Sequence, residues 1–388
     1  MHDFLREIAL AFSRRKVLKA LGAVAVAQAG LDLGLPATAM AQGKTDRVAQ
    51  RVAAIQFEPK LGDINFNLSR ADALVREALN KGARWVVLPE FFPTGTALHP
   101  SLFNSYQAVD GRPAELLKEL AKLGGAYVSG SFMAKSGGDA FNTLVLACPD
   151  GSIFTHDKDF PTQVFESAYY AAGEDDAYVE MLSRGGARTA TQKVPPRVGN
   201  SIEGAFSHSG TGIGVALCWE IVRNRTAKRL VGKVDLLLAS SGWWSTDPGR
   251  DWPGLSPDQA RSIMNESQSL IDAAPKRMAR MLGVPVVHAN FTGPSSGYLT
   301  LTFDRVANGR YLGSSQIVDA EGKTVARLDT EEGVLLAEVS VGRRSGSETI
   351  PEDFWLPEVS DGMRRRWVTG GATGRDYYLS ETRAKLVR

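Results

Sequence analysis

The sequence predicts an α/β fold in which both faces of the sheet are covered by other layers. Two apolar runs, residues 85–88 (WVVL) and 212–217 (GIGVAL), are continuous rather than alternating, which is typical of strands buried on both faces. Helical segments separate the strands in the first half of the chain, and hairpin-like pairs appear in the second half. This alternation is the pattern of a sheet that carries helices on its faces.

Apolar residues recur at helical spacing in three segments, which we predict to be helices. These segments are residues 67–80, 114–123 and 257–282. Short β-rich runs predict the strands, which are residues 51–57, 85–88, 126–132, 143–147, 212–217, 234–239, 284–289, 316–319 and 334–339. Turn signals separate several of these elements, among them Pro149-Asp150-Gly151 and Ala320-Glu321-Gly322.

The composition between residues 45 and 343 shows no linker, internal repeat or low-complexity block. We therefore predict a single domain over residues 42–345. The C-terminal tail, residues 346–388, has many charges and little periodicity, and it carries the aromatic residues Trp355, Trp367, Tyr377 and Tyr378. We expect this tail to pack on a surface, either that of its own domain or that of a partner subunit.

Residues 1–41 differ from the rest of the chain and predict an export signal. A positive end (SRRKVLK) precedes an apolar run, and the small residues AMA allow cleavage after Ala41. The pair Arg14-Arg15 resembles the twin-arginine signal of bacteria, which carries folded proteins. We therefore expect export to the periplasm by the twin-arginine machinery. Two alternatives stay open: an N-terminal helix of the folded domain, and a membrane anchor that is not cleaved.

Charge and composition exclude several classes of function. The 388 residues carry a net charge of +2, so no basic stripe indicates a nucleic-acid partner. Two cysteines allow at most one disulfide, and a structural Cys148–Cys218 bridge is an alternative to a free thiol. The five histidines occur singly, and no glycine-rich phosphate loop follows a strand. We expect neither a metal nor another cofactor.

Three residues with acidic, basic or nucleophilic side chains each follow a strand-like run, which for Lys158 is the further run at residues 153–157. They are Glu90 after WVVLP, Lys158 after IFTHD and Cys218 after GIGVAL. Polar side chains at strand ends converge at one edge of a sheet, where α/β folds place their sites. Each has an ordinary interpretation when taken singly: Glu90 as a cap, Lys158 as a solvated charge and Cys218 as a buried apolar filler.

Taken together and in this order, these residues make the chain resemble the nitrilase, or carbon–nitrogen hydrolase, family. The motifs are LPEFFPTG around Glu90, THDKDFPTQVFE around Lys158 and GVALCWE around Cys218, and Glu166 fits the place of a second family glutamate. The resemblance runs from residue 52 to residue 337. It implies a four-layer α-β-β-α sandwich and cleavage of carbon–nitrogen bonds other than peptide bonds.

The resemblance and the residue types together imply catalytic roles. Cys218 would form a thioester with the substrate, and Glu90 would take the thiol proton as general base. Lys158 would stabilise the charge of the tetrahedral intermediate, with the backbone N–H of Trp219 as a second donor. Glu166 would hold Lys158 charged, position the water that breaks the thioester, or form a plain salt bridge.

Four residues are expected to bind substrate. Asn142 and Trp219 belong to blocks that look like family motifs, FNT and CWE. Trp243 and Trp244 are expected to wall the pocket, although packing of these aromatic rings on the following helix is an alternative. Glu220 is expected to face away from the site, because a residue two positions beyond a nucleophile seldom points the same way.

The substrate stays open at this point. We expect a small amide or carbamoyl compound, with ammonia or an amine as product. One alternative is a nitrilase, since CWE and the PT pair after Lys158 resemble the nitrile-cleaving branch. Another is an N-acyltransferase that uses the same thioester. We also expect a homodimer or larger homo-oligomer, and residues 170–200 are a candidate lid or subunit contact.

Overall fold

The computed structural model describes residues 47–173, 204–356 and 359–387. The predicted export signal at residues 1–41 and most of the candidate lid at residues 170–200 therefore lie outside the described residues. None of the helices within the described ranges has the length and apolar character needed to cross a membrane.

The described residues form seven α-helices, and the longest shows how the sequence sets its limits. The helices are α1 (Ile64–Asn80), α2 (Arg112–Gly124), α3 (Gln163–Ser167), α4 (Asn224–Leu230), α5 (Pro257–Leu282), α6 (Asp361–Tyr377) and α7 (Arg383–Leu386). Helix α5 begins at a capping box in which Ser256 and Gln259 exchange side-chain-to-backbone hydrogen bonds. It ends at Gly283, whose φ of 68° is a left-handed conformation that glycine adopts without strain.

The first large sheet has seven strands. They are β1 (Val48–Gln56), β2 (Trp85–Val87), β3 (Gln107–Ala108), β4 (Tyr127–Ser136), β5 (Asp139–Ala147), β6 (Ile153–Asp157) and β16 (Gly333–Val341). Their order across the sheet is β16-β1-β2-β4-β5-β6, with β3 beside β4. Since β1, β2 and β4 run parallel, the chain crosses back through α1 and then α2.

The second large sheet has six strands, and a small third sheet has three. The six strands are β7 (Ala205–His208), β8 (Thr211–Leu217), β9 (Leu236–Ser240), β11 (Val286–Ala289), β14 (Gln316–Val318) and β15 (Thr324–Arg327), in the order β15-β14-β11-β9-β8-β7. The small sheet consists of β10 (Trp244–Thr246), β12 (Pro294–Tyr298) and β13 (Val306–Tyr311), with β13 in the middle.

The two large sheets face each other and carry helices on their outer faces. Along β1, Ala53 and Ile55 contact the apolar cluster beneath α1 and α2, whereas Val52 and Ala54 belong to the cluster between the sheets. Neighbouring residues of a strand point to opposite faces, so both faces of β1 are buried. Helix α5 covers the outer face of the second sheet. The predicted four-layer α-β-β-α sandwich is confirmed.

Every predicted helix and strand is present, with ends that differ by up to four residues. The small third sheet was not predicted, because β12 and β13 contain glycine and polar residues that give a weak strand pattern. Helix α6 was not predicted either. Its 17 residues include four glycines, which lower helix propensity, and the helix is held instead by packing around the buried Trp367.

Candidate active site

Cys218 lies at a sharp turn between β8 and a 3-10 helix, Cys218–Val222. Its φ of 50° falls in the left-handed region, which is strained for any residue with a side chain and is found mainly where function requires it. The residue is buried, yet it lines a cavity of about 420 Å³. The strained turn therefore presents the sulfur to a partly open cavity of substrate size.

Lys158 directly follows β6, and its ammonium group lies between two carboxylates. Lys158 Nζ donates hydrogen bonds to Glu90 Oε1 at 2.8 Å and to Glu166 Oε2 at 2.7 Å. A third bond, of 3.1 Å, goes to Thr162 Oγ1. All three charged side chains are buried, so water contributes little screening and the cation is held in a fixed position.

Glu90 is held by donors on both of its oxygens. Oε1 accepts hydrogen bonds from Lys158 and from Asn142 Nδ2, the latter at 2.8 Å. Oε2 accepts a bond of 3.1 Å from the backbone N–H of Gly242. Burial raises the pKa of Glu90 to about 7, and Glu166 adds to this rise while Lys158 opposes it. A carboxyl group with this pKa exchanges a proton readily near neutral pH.

Glu166 lies in the short helix α3, and its Oε2 accepts several hydrogen bonds. Besides Lys158, the donors are the backbone N–H of Thr162, at 2.8 Å, and the hydroxyl group of Tyr170. With these donors around it, Glu166 has a fixed orientation behind Lys158. The structure thus brings Glu90 to Lys158 and Glu166, although Glu90 lies 68 residues before Lys158 in sequence.

The charges of the site act directly on the thiol. Burial raises the pKa of Cys218 and the nearby Glu90 raises it further, while Lys158 and a hydrogen bond from the Gly242 backbone lower it. Burial by itself would lower the pKa of Lys158, but the charges of Glu166 and Glu90 outweigh burial and raise it. The lysine is therefore a permanent cation beside a thiol that needs a base to become a thiolate.

Three of the four residues expected to bind substrate line the cavity. They are Trp219, Trp243 and Trp244. Asn142 is placed differently: its side chain is fully buried and its amide bonds to Glu90. This position makes Asn142 a support for the Glu90 carboxylate, which differs from the expected contact with substrate. The pairing of β5 with β4 and β6 fixes which way the Asn142 side chain points within the segment Phe141-Asn142-Thr143.

Glu220 faces away from the cavity, as its spacing from Cys218 suggested, but it joins two parts of the site. Its oxygens accept bonds of 2.8 Å from the backbone N–H groups of Leu217 and Asp159, which adjoin Cys218 and Lys158. His156 Nε2 lies 3.0 Å from the same carboxylate. Glu220 therefore fixes the nucleophile turn relative to the lysine, a role that its sequence position did not indicate.

Cys148 belongs to a separate group of side chains, with Asp150 and His208, whose possible ligand atoms lie within 4.8 Å of one another. Isolated histidines in the sequence gave no sign of this group. His208 Nε2 is 3.0 Å from Asp150 Oδ2, and His208 Nδ1 is 2.8 Å from the Tyr127 hydroxyl. Both ring nitrogens thus have protein partners, and we derive no metal-dependent step from this group.

The group around Cys148 is also distant from Cys218. Cys148 follows β5, six residues beyond Asn142, which corresponds to about 20 Å along a strand. Asn142 lies in the first half of β5 and contacts Glu90 there. Both cysteines are free, so the alternative of a Cys148–Cys218 disulfide is wrong.

Comparisons of the sequence with known proteins agree on one family. The sequence profile of the carbon–nitrogen hydrolases matches residues 51–345. A 2-oxoglutaramate amidase of Bacillus subtilis is 31% identical over 305 residues, which cover 77% of this chain and 95% of that protein. An omega-amidase of Danio rerio is 42% identical over 97 residues, which cover 24% of this chain and 34% of that protein.

A solved structure supports the same architecture. A carbon–nitrogen hydrolase of Helicobacter pylori superposes with a TM-score of 0.55 at 18% identity, and the match covers 75% of this chain and 89% of that chain. At this identity the likeness shows the fold alone. The family profile, in contrast, spans most of the sequence and includes Glu90, Lys158 and Cys218. The chain therefore belongs to the carbon–nitrogen hydrolase family.

Proposed function

We propose that the protein hydrolyses a non-peptide amide through a thioester on Cys218. The observation that carries this proposal is the buried Lys158 ammonium, which bonds to both Glu90 and Glu166 beside the thiol. The names of the relatives from Bacillus subtilis and Danio rerio, both amidases, support an amide as the bond that is cleaved.

In the first half of the proposed reaction the enzyme is acylated. The Glu90 carboxylate takes the proton of the Cys218 thiol, and the sulfur attacks the amide carbonyl carbon. The carbonyl oxygen becomes negative and is stabilised by Lys158 Nζ and the backbone N–H of Trp219, where one such donor contributes about 3–4 kcal/mol. Glu90 then returns the proton to the nitrogen, the carbon–nitrogen bond breaks, and ammonia leaves a thioester behind.

In the second half, water cleaves the thioester. Glu90, again a carboxylate, accepts a proton from the attacking water, and the same two donors stabilise the second tetrahedral intermediate. The carbon–sulfur bond then breaks, and the sulfur recovers its proton from Glu90. Glu166 keeps Lys158 charged through both halves by its bond of 2.7 Å, so its contribution is to hold the cation in place.

The bond specificity can be tested with matched amides, nitriles and carbamoyl compounds. We expect ammonia release from amides with kcat/KM at least tenfold above that of the corresponding nitriles, a difference of about 1.4 kcal/mol in transition-state stabilisation. The reverse ratio would identify a nitrilase. The remaining candidate function, an N-acyltransferase, is tested by adding an amine acceptor. Such an enzyme would form more of the new amide than of the free acid.

We also propose that residues 1–41 export the folded enzyme to the periplasm by the twin-arginine route. The support is the sequence pattern of positive end, apolar run and small residues. We expect the double change Arg14→Lys and Arg15→Lys to leave precursor in the cytoplasm, whereas secreted wild type should begin near Gln42. Both are measured by fractionation and N-terminal sequencing.

A charge-preserving change outside the arginine pair, Lys16→Arg, is the control for that experiment and should leave export intact. Normal periplasmic delivery of the double lysine variant would mean that another route carries the protein. Formation of a homodimer or larger homo-oligomer stays a prediction.

A further inference from the structure

The cavity that opens from Cys218 is lined mainly by apolar and aromatic side chains. Four of them are the tryptophans Trp219, Trp243, Trp244 and Trp252. Within the described part of the chain, its charged lining residues are Glu166 and Arg366. Glu166 is already paired with Lys158 at 2.7 Å. The cavity therefore suits a substrate with an apolar body, and Arg366 is the charged lining residue that such a body could meet away from Lys158 and Glu166.

Arg366 comes from helix α6, in the C-terminal tail. Met363, Arg366 and Thr369 all line the cavity, and their spacing of three residues places them on one face of the helix. Arg366 is exposed, and across residues 47–173, 204–356 and 359–387 no carboxylate forms an ion pair with its guanidinium group. A cation at the wall of an apolar cavity, with no carboxylate partner among the described residues, is available to a ligand.

Helix α6 holds Arg366 in a defined position relative to the catalytic residues. Trp367 is buried, and its ring centroid lies 5.1 Å from that of Trp219. Two turns further along the same face, a side chain at Gly374 would approach the Ser167 Cβ to 2.6 Å, so only glycine allows α6 to pack this closely on α3. Helix α3 carries Glu166. Helix α6, which carries Arg366, is thus fixed to α3 and to Trp219, the neighbours of the catalytic residues.

We propose that Arg366 binds an anionic group at the far end of the substrate, so that the enzyme prefers amides with an apolar body and a distal carboxylate. The inference rests on the proposed function, because the thiol defines which end of the substrate is the amide. A guanidinium group can bind a carboxylate through two parallel hydrogen bonds. Since Arg366 is exposed, water and salt screen part of this attraction.

The proposal is tested with two acid–ester pairs of primary amides. One pair is a phenylacetamide with a para-carboxyethyl group and its methyl ester; the other is adipamic acid and its methyl ester. We expect the acid of at least one pair to have a KM about tenfold below that of its ester in the wild type. Arg366→Gln should remove this preference with kcat almost unchanged, because Arg366 takes no part in the proposed proton transfers or in the attack by sulfur. Raising the salt concentration should weaken the preference in the wild type only.

Arg365→Gln is the matched control, since Arg365 is also exposed on α6 but does not line the cavity. This variant should keep the preference for acids. Equal KM values for acid and ester in both pairs of the wild type would overturn the inference, and so would an equal loss of preference in the Arg365 and Arg366 variants.

Binding to the Cys218→Ala variant separates this inference from the proposed hydrolysis. Quenching of tryptophan fluorescence by the four probes reports binding without turnover. We expect tighter binding of an acid than of its ester, and loss of the difference when Arg366→Gln is added. Equal binding of acids and esters would overturn the inference even if the wild type releases ammonia. Selective binding of the acid, with no ammonia from any amide, would support anion recognition and contradict the proposed hydrolysis.

Discussion

The change Cys218→Ala is expected to lower kcat for amide hydrolysis by about 10⁴-fold or more, because it removes the atom that forms the thioester. The fold should persist, since the variant loses one buried sulfur and no hydrogen-bonded charge. We expect a decrease in the free energy of unfolding of about 1–2 kcal/mol at most. Steady-state ammonia release measures the first effect, and urea unfolding measures the second.

Cys148→Ala is the control for this experiment, because Cys148 is also a buried free cysteine. Burial raises the pKa of its thiol, as it does for Cys218, but only Cys218 has Glu90 and Lys158 acting on it, so Cys148 lacks the groups that would activate it. We expect its activity to stay within about twofold of the wild type, with a similar loss of stability. An inactive Cys148 variant together with an active Cys218 variant would show that the wrong cysteine has been assigned.

Glu90→Gln is expected to lower kcat/KM by about 10³-fold, since glutamine keeps the shape of the side chain but cannot accept the thiol proton. Lys158 would keep its bond of 2.7 Å to Glu166, so the cation should stay in place and the enzyme should stay folded.

The wild type should also show a pH dependence set by Glu90. Burial raises the pKa of this carboxyl group to about 7, and only its ionised form acts as a base. Activity should therefore rise with pH through about 7 and level off above it.

The residual activity of Glu90→Gln should lack this rise around pH 7. The exposed Glu77, which pairs with Lys81 on the surface, gives a matched control. Glu77→Gln should keep both the activity and the pH profile, and its free energy of unfolding should change by less than about 0.5 kcal/mol. A Glu90→Gln enzyme that still gains activity through pH 7 would exclude Glu90 as the base.

The sequence by itself determined the elements of the fold and the order of the chemically strong residues. Periodicity records which faces of a helix or strand are buried, and this is why residues 257–282 were predicted with both ends correct. The continuous apolar runs of β2 and β8 likewise indicated strands covered on both faces. Because Glu90, Lys158 and Cys218 each follow a strand, their meeting at one edge of the sandwich was also predictable.

Only the tertiary structure decided which side chains meet at that edge. Asn142 contacts Glu90 across 52 residues, and Glu220 joins Asp159 to Leu217 across a similar gap. Such contacts depend on strand pairing and loop conformation. Local sequence patterns do not record them, because a pattern shows burial but not the identity of the neighbour.

The helix in the C-terminal tail could not be predicted from the sequence for the same reason, because its formation depends on contacts that local patterns do not show. Four glycines weaken the helical pattern of α6, yet Gly374 is what permits its close packing on α3. Helix propensity is a local property, whereas the stability of this helix comes from burying Trp367 against Trp219. The position of Arg366 at the wall of the cavity follows from that packing and could be found only in the folded molecule.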